Sequence, residues 1–169
     1  VTRRRTAALL AVGALVAALA IALCWPMPWL VVRHGATLAY AFPGAEGTRF
    51  ALRWMHSVEE EDWIEEFTVV DSHIRVVETR FKTFGAGVPA AAGSATTLED
   101  GWVVMRGIDR VVDPLAVQAA AAEHYRMRYG SRWLSLSPDG GQPILTFAVV
   151  CAPAWRMIGG LSRGRQLVP

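Results

Sequence analysis

The sequence predicts a mainly β protein, an antiparallel β-sandwich or open barrel preceded by one N-terminal transmembrane helix. Three observations carry that expectation. After Gly35 the chain breaks into short runs of strand character with turn residues at regular spacing. Before it lies an uncharged run from Thr6 to Val32, behind Arg3, Arg4 and Arg5. Setting that segment aside leaves about 135 of the 169 residues, the size of one domain with one core.

A helix rises about 1.5 Å per residue, so about 20 apolar residues cross a hydrocarbon layer about 30 Å thick. Ala7 to Trp25 has that length and no charge. Pro26 and Pro28 stop the helix, and Trp25 and Trp29 suit the lipid–water boundary. The arginines favour the cytoplasmic side. The chain is therefore expected to cross a bacterial plasma membrane once, with its domain on the extracytoplasmic, periplasmic side. The alternative is a cleaved secretory signal and a secreted domain. Ala20-Ile21-Ala22 has the form of a cleavage site, but the apolar run is long for a signal. The expected division is an anchor or signal over 1–34, a β domain over 35–155 and a loose tail over 156–169.

Lys and Arg number 17 against 15 Asp and Glu, a net charge of 17 − 15 = +2. No basic stripe with interleaved aromatics runs through the middle, which argues against nucleic acid as a partner. Cys24 and Cys151 have no metal-type spacing and read as unpaired small apolar residues.

Thr37 to Phe42 is a short strand ended by Pro43-Gly44. Thr48 to His56 alternates, with Phe50, Leu52, Trp54 and His56 on one face. The acidic run Glu59 to Asp62 reads as a solvated turn. Trp63 to Val70 and His73 to Phe81 form a hairpin about Asp71-Ser72. Thr83 to Thr97, rich in Gly, Ala and Pro, is expected to be loop. Trp102 to Arg106 and Ile108 to Val112 are short strands around Gly107. Asp113-Pro114 could open a helix, since alanines follow at 119–122, yet Leu115 and Val117 also fit a strand. Tyr125 to Tyr129 and Arg132 to Ser135 flank Gly130 as a hairpin. Ile144 to Cys151 is a buried strand, too short to span a bilayer.

A two-residue turn at Asp71-Ser72 pairs Val70 with His73, and a constant index sum then sets Glu65 opposite Glu78 and Trp63 opposite Arg80. His56, Glu65, Glu78 and Arg80 would meet at one end of an apolar face. Paired carboxylates repel unless protonated His56, Arg80, a shared proton or a cation neutralises them. The cluster could bind a ligand or a cation, or the groups could satisfy one another at the rim of the core. One His and two Glu also suit a metal-assisted hydrolase, although the spacing matches no recognised motif. Catalysis is the least favoured reading. His56 and Ser57 are neighbours that point to opposite faces while the strand continues. Phe84-Gly85-Ala86-Gly87-Val88-Pro89 holds a G-x-G without the third glycine or the lysine of a phosphate site, so it reads as a tight turn. His73 and His124 stand isolated. No cofactor is implied.

His56-Ser57-Val58-Glu59, Glu65, the Glu78 strand and Phe84-Gly85-Ala86-Gly87-Val88-Pro89, in this order and separation, resemble the bacterial family called domain of unknown function 1850. The resemblance covers about residues 36–150. Asp62 and Trp63 stand where the family pattern has proline and an aliphatic residue. The family has no established activity. Its members are often encoded beside tripartite, periplasmic-substrate-dependent transporters for organic acids. The resemblance thus implies a membrane-anchored accessory or binding component of such a transporter. Its partners would be the membrane, transporter membrane subunits and a small organic anion. His56, Ser57, Glu65, Glu78 and Arg80 would be the ligand-binding residues, with Phe84, Gly85 and Gly87 shaping one rim. A structural envelope protein without a ligand is the remaining alternative.

Overall fold

The computed structural model describes residues 2–85, 87, 89, 91–137 and 140–164. A helix, α1 (Thr2–Cys24), leads into eleven strands: β1 (Pro26–His34), β2 (Thr37–Pro43), β3 (Arg49–Met55), β4 (Asp62–Val70), β5 (His73–Phe81), β6 (Ala95–Glu99), β7 (Trp102–Val111), β8 (Leu115–Gln118), β9 (Arg126–Tyr129), β10 (Arg132–Ser135) and β11 (Ile144–Pro153). A 3-10 turn at Ala121–Glu123 precedes β9. Another at Ala154–Met157 leads into α2 (Ile158–Gly164).

The strands form two antiparallel sheets, in the orders β2-β1-β11-β8 and β10-β9-β3-β4-β5-β7-β6. They face each other through one core. Leu30, Val32 and Phe147 of the small sheet meet Phe50, Leu52, Phe67, Ile74, Val76 and Met127 of the large one. The Phe50 and Phe147 rings stack across the gap at 6.0 Å. This is a β-sandwich.

The helix Arg5–Cys24 has mean hydropathy 2.7 and is entirely unburied, so it is long and apolar enough to cross a membrane, as a membrane anchor or signal sequence would be. It ends sooner than its apolar run does. Leu30, Val31 and Val32, taken from the sequence as anchor, are fully buried in β1 between β2 and β11. Their unbroken run is that of a strand covered on both faces. Trp29, expected at a lipid boundary, is also buried, and its Nε1 donates to Ala152 O at 2.9 Å.

Three further expectations are corrected. Residues 95–97, taken as the end of a loop, instead open β6, which runs on to Glu99. The two short strands around Gly107 are one strand, β7, kinked where Gly107 and Asp109 take positive φ. The expected loose tail is structured as far as Gly164: Met157 is buried and packs with Trp29, Val31 and Ala41 on the outer face of the small sheet. The last five residues of that tail, 165–169, lie outside the described residues. The segment after Pro114, open between helix and strand, is strand β8 followed by the 3-10 turn.

Candidate ligand-binding site

The sequence places Glu65 on the face of Trp63, Phe67 and Val69, and β4 alternates in that phase. Strand pairing sets Glu65 between Leu52 and Thr79, in a row that continues to Met127 on one side and Met105 on the other. These four neighbours are at most 3% exposed. The Glu65 carboxyl has no hydrogen-bond partner among the described residues. Burial pushes its pKa above the ordinary glutamate value, with Arg110 opposing.

The next row is aromatic. Trp54 stacks on Trp63 at 5.5 Å and on Tyr125 at 5.4 Å, and Trp63 stacks on His56 at 5.4 Å. Trp63 Nε1 donates to Thr79 Oγ1 at 2.7 Å, so its indole is fixed as well as buried. His56 sits just past β3 in the acidic turn. Its N–H donates to Glu61 O at 2.8 Å, and its Nδ1 accepts a long bond, 3.4 Å, from Glu59 N–H. The loop after β5 closes over this end. Phe84 meets Phe81 edge-on at 5.1 Å, and Thr83 donates to the Glu61 carboxylate. Gly85 lies against the Glu59 carboxylate, which would have to swing aside for a Cβ there. Gly87 has φ of +83°, while Ala86 and Val88 of the same motif lie outside the described residues.

Glu78 and Arg80 are not in this place. The register follows the constant sum from Val70–His73 to Phe67–Val76, then shifts by one residue, so that Glu66 faces Glu78, Glu65 faces Thr79 and Ile64 faces Arg80. The expected Glu65–Glu78 and Trp63–Arg80 pairs do not form. Val77 is the extra residue of a bulge, which turns Glu78 to the outer surface. There Glu78 accepts from Arg80 Nε at 3.0 Å and Arg106 Nε at 2.7 Å. Arg106 also donates to Glu99 at 2.5 and 2.8 Å, holding that carboxyl at a pKa of about 2. Arg128 bonds Glu66 at 2.6 Å on the same surface. This is an ion-pair ladder on the outer face, with Glu78 and Glu66 part-buried beneath their arginines. The structure thus brings His56 to the Trp63 end of the inner face, sets Glu65 one row away and separates both from Glu78 and Arg80. Among the described residues no group of three His, Cys, Asp or Glu could hold a metal ion.

Two clefts adjoin at Tyr125, whose phenol pKa is pushed up to about 12 by burial and by the charges of Glu123 and Glu65. The larger, about 620 Å³, includes Ser57, Glu60, Gln118, Glu123 and Gln142 in its wall. The smaller, about 250 Å³, lies between the Ala121–Glu123 turn and the β9–β10 hairpin, where His124, Arg126, Trp133, Ser135 and Ser137 surround it. Among the described residues its lining carries no carboxylate. The Arg126 guanidinium donates no hydrogen bond among the described residues, and its charge acts on Asp62. Ser137 Oγ is engaged with Ala119 O, leaving the Ser135 hydroxyl as a ready donor. His124 is held at φ +52°, an uncommon conformation outside glycine. Sequence reasoning left His124 isolated and passed over Arg126 and Ser135. Their one signal was a histidine two residues before an arginine at the start of a hairpin, which names no chemistry until the 3-10 turn folds back over it.

Residues 50–136, which build the aromatic row, Glu65 and most of the small cleft, match the family model described as Domain of unknown function (DUF1850). The chain belongs to this family. No curated protein and no solved structure matches it. The DUF1850 span holds the large sheet from Phe50 onward, together with β8. The helix α1 and the other three small-sheet strands lie outside it. The aromatic row and Glu65 of this DUF1850 chain therefore sit on the large sheet and its loops, and the segments outside the match cover one face and supply the apolar helix.

Proposed function

We propose that this DUF1850 chain is a membrane-tethered, extracytoplasmic binding module that holds a small organic acid and serves as an accessory of a tripartite organic-acid transporter. The observation that carries the reading is the cleft beside Tyr125, where Arg126, His124 and Ser135 line one small space with no carboxylate among its described lining residues. A planar guanidinium beside hydroxyl donors is matched to a carboxylate. The size suits an acid of four to six carbons better than a drug-sized ligand, whose pockets run from about 300 Å³ upward. Support for tethering comes from α1, whose apolar span is long enough to cross a bilayer and is nowhere buried. Binding is favoured over catalysis because, among the described residues, no serine or cysteine bonds a histidine.

The test uses the full chain in mild detergent, titrated calorimetrically with succinate, malate and citrate. Arg126→Ala is expected to weaken the best of them by about 10- to 100-fold, the loss of one charge-assisted hydrogen-bonding group. Equal affinity of the variant, or no heat from any of the three acids, overturns the binding reading. Co-purification with transporter membrane subunits supports the accessory role. Isolation of the lone chain from membranes that contain those subunits overturns it.

A further inference from the structure

The end of the sandwich that meets α1 carries apolar side chains the core does not use. Only Trp25 separates α1 from β1, and its N–H still donates to Ile21 O at 2.9 Å, so helix and strand are joined without slack. Pro26 pairs with Pro153, which brings the Ala154–Met157 turn beside the end of α1, and the two are in contact. Met157 turns inward, while Trp155 and Ile158 turn outward, 51% and 58% exposed, in the company of Trp25 at 67%. The Arg156 guanidinium lies 5.3 Å from the Trp155 ring. From Gly140 to Pro169 the sequence has Arg156, Arg163 and Arg165 and no acidic residue.

We infer that this turn and the start of α2 form a second membrane contact, seated in the headgroup layer of the same bilayer that holds α1. The inference rests on the proposed retention of α1 as an anchor. With a one-residue joint, a helix that spans the bilayer brings Trp25 to the lipid surface, and the turn beside it arrives at the same depth. Tryptophan with a flanking arginine is the composition that favours that depth. An arginine-rich segment without acids is drawn to anionic lipid, each charge near the surface contributing on the order of 1 kcal/mol. The occupant of the exposed patch is thus a lipid headgroup layer.

The test places nitroxide labels on the full chain in vesicles of phosphatidylcholine and phosphatidylglycerol. Cys24 and Cys151, both exposed, are first changed to serine. Labels go in turn at Val12→Cys, Trp155→Cys, Ile158→Cys and Ala36→Cys. The last lies past the far end of β1, about 26 Å from Pro26 by strand rise. Accessibility to oxygen relative to a water-soluble nickel chelate measures depth. The ratio at 155 and 158 is expected to exceed that at 36 by at least about threefold, with 12 highest. A second seat label guards against a variant that does not fold. Label 12 in hydrocarbon with 155 and 158 as wet as 36 overturns the seat and leaves the anchor intact. Label 12 in water overturns the anchor and the seat together.

Discussion

Glu65 is the residue on which the folded sheet acts most directly. It occupies an inward position whose lateral neighbours are Leu52 and Thr79, and its carboxyl gains no bond in return for lost water. Its pKa is therefore higher folded than unfolded. Between those two values the folded chain holds more protons, so stability falls as pH rises through that interval, and below the ordinary glutamate value the penalty is absent. Glu65→Gln keeps the shape and removes the charge. The variant is expected to melt at a higher temperature than the parent at pH 8, with the gap closing toward pH 4, in thermal unfolding followed by circular dichroism. The opposite order at pH 8 would mean that the carboxylate is engaged by a group that favours its charge. That Glu65 points inward was legible from alternation along Trp63 to Val69. That it stands alone was not, because its expected partner was placed by a register that holds only near the turn.

The β4–β5 hairpin shows where local rules stop. Asp71 and Ser72 both take positive φ, the signature of a two-residue turn with the right twist, and the first four pairs follow from it. Beyond them β5 must also match β7, which carries its own irregularity at Gly107 and Asp109, and Val77 is bulged where the two strands slip. A non-local neighbour sets this feature, so neither strand announces it alone. The same region shows how the loop after β5 is fastened. Gly93 has φ of +70°, and a Cβ there would lie 2.2 Å from Arg106 O, beside the Ser94 N–H bond to that same oxygen. Gly87 has φ of +83°, but a Cβ there would meet nothing within 4 Å among the described residues. Gly93→Ala is expected to destabilise by at least about 2 kcal/mol, combining backbone strain with a clash, and Gly87→Ala by about 1 kcal/mol, from strain alone. Urea unfolding of both variants measures the difference.

At the scale of the molecule the two sheets are unequal, and this decides what is sheltered and what is open. The β9–β10 hairpin closes on the shared core through Met127 and Leu134 and also walls a cleft at its edge, while β6 at the other edge of the large sheet is exposed throughout. Sandwich architecture was legible in the spacing of turns. The first strand was not, since three apolar residues after a hydrophobic helix look the same whether lipid or a second sheet surrounds them. Orientation under the proposed tethering depends on Arg3, Arg4 and Arg5. Changing all three to Glu is expected to lower the fraction of chains whose domain is digested by protease added to spheroplasts, by several-fold, with the domain retained on the inner side. The short joint has one more consequence. Between Ala22 and β1 stand only Leu23, Cys24 and Trp25, and β1 is clamped by hydrogen bonds on both sides. A peptidase that grips extended chain across its scissile bond finds no free length there once the sandwich has closed. Were the helix a cleaved signal, cutting at that position would have to precede folding, and a molecule that folded first would keep the helix that the proposed tethering requires.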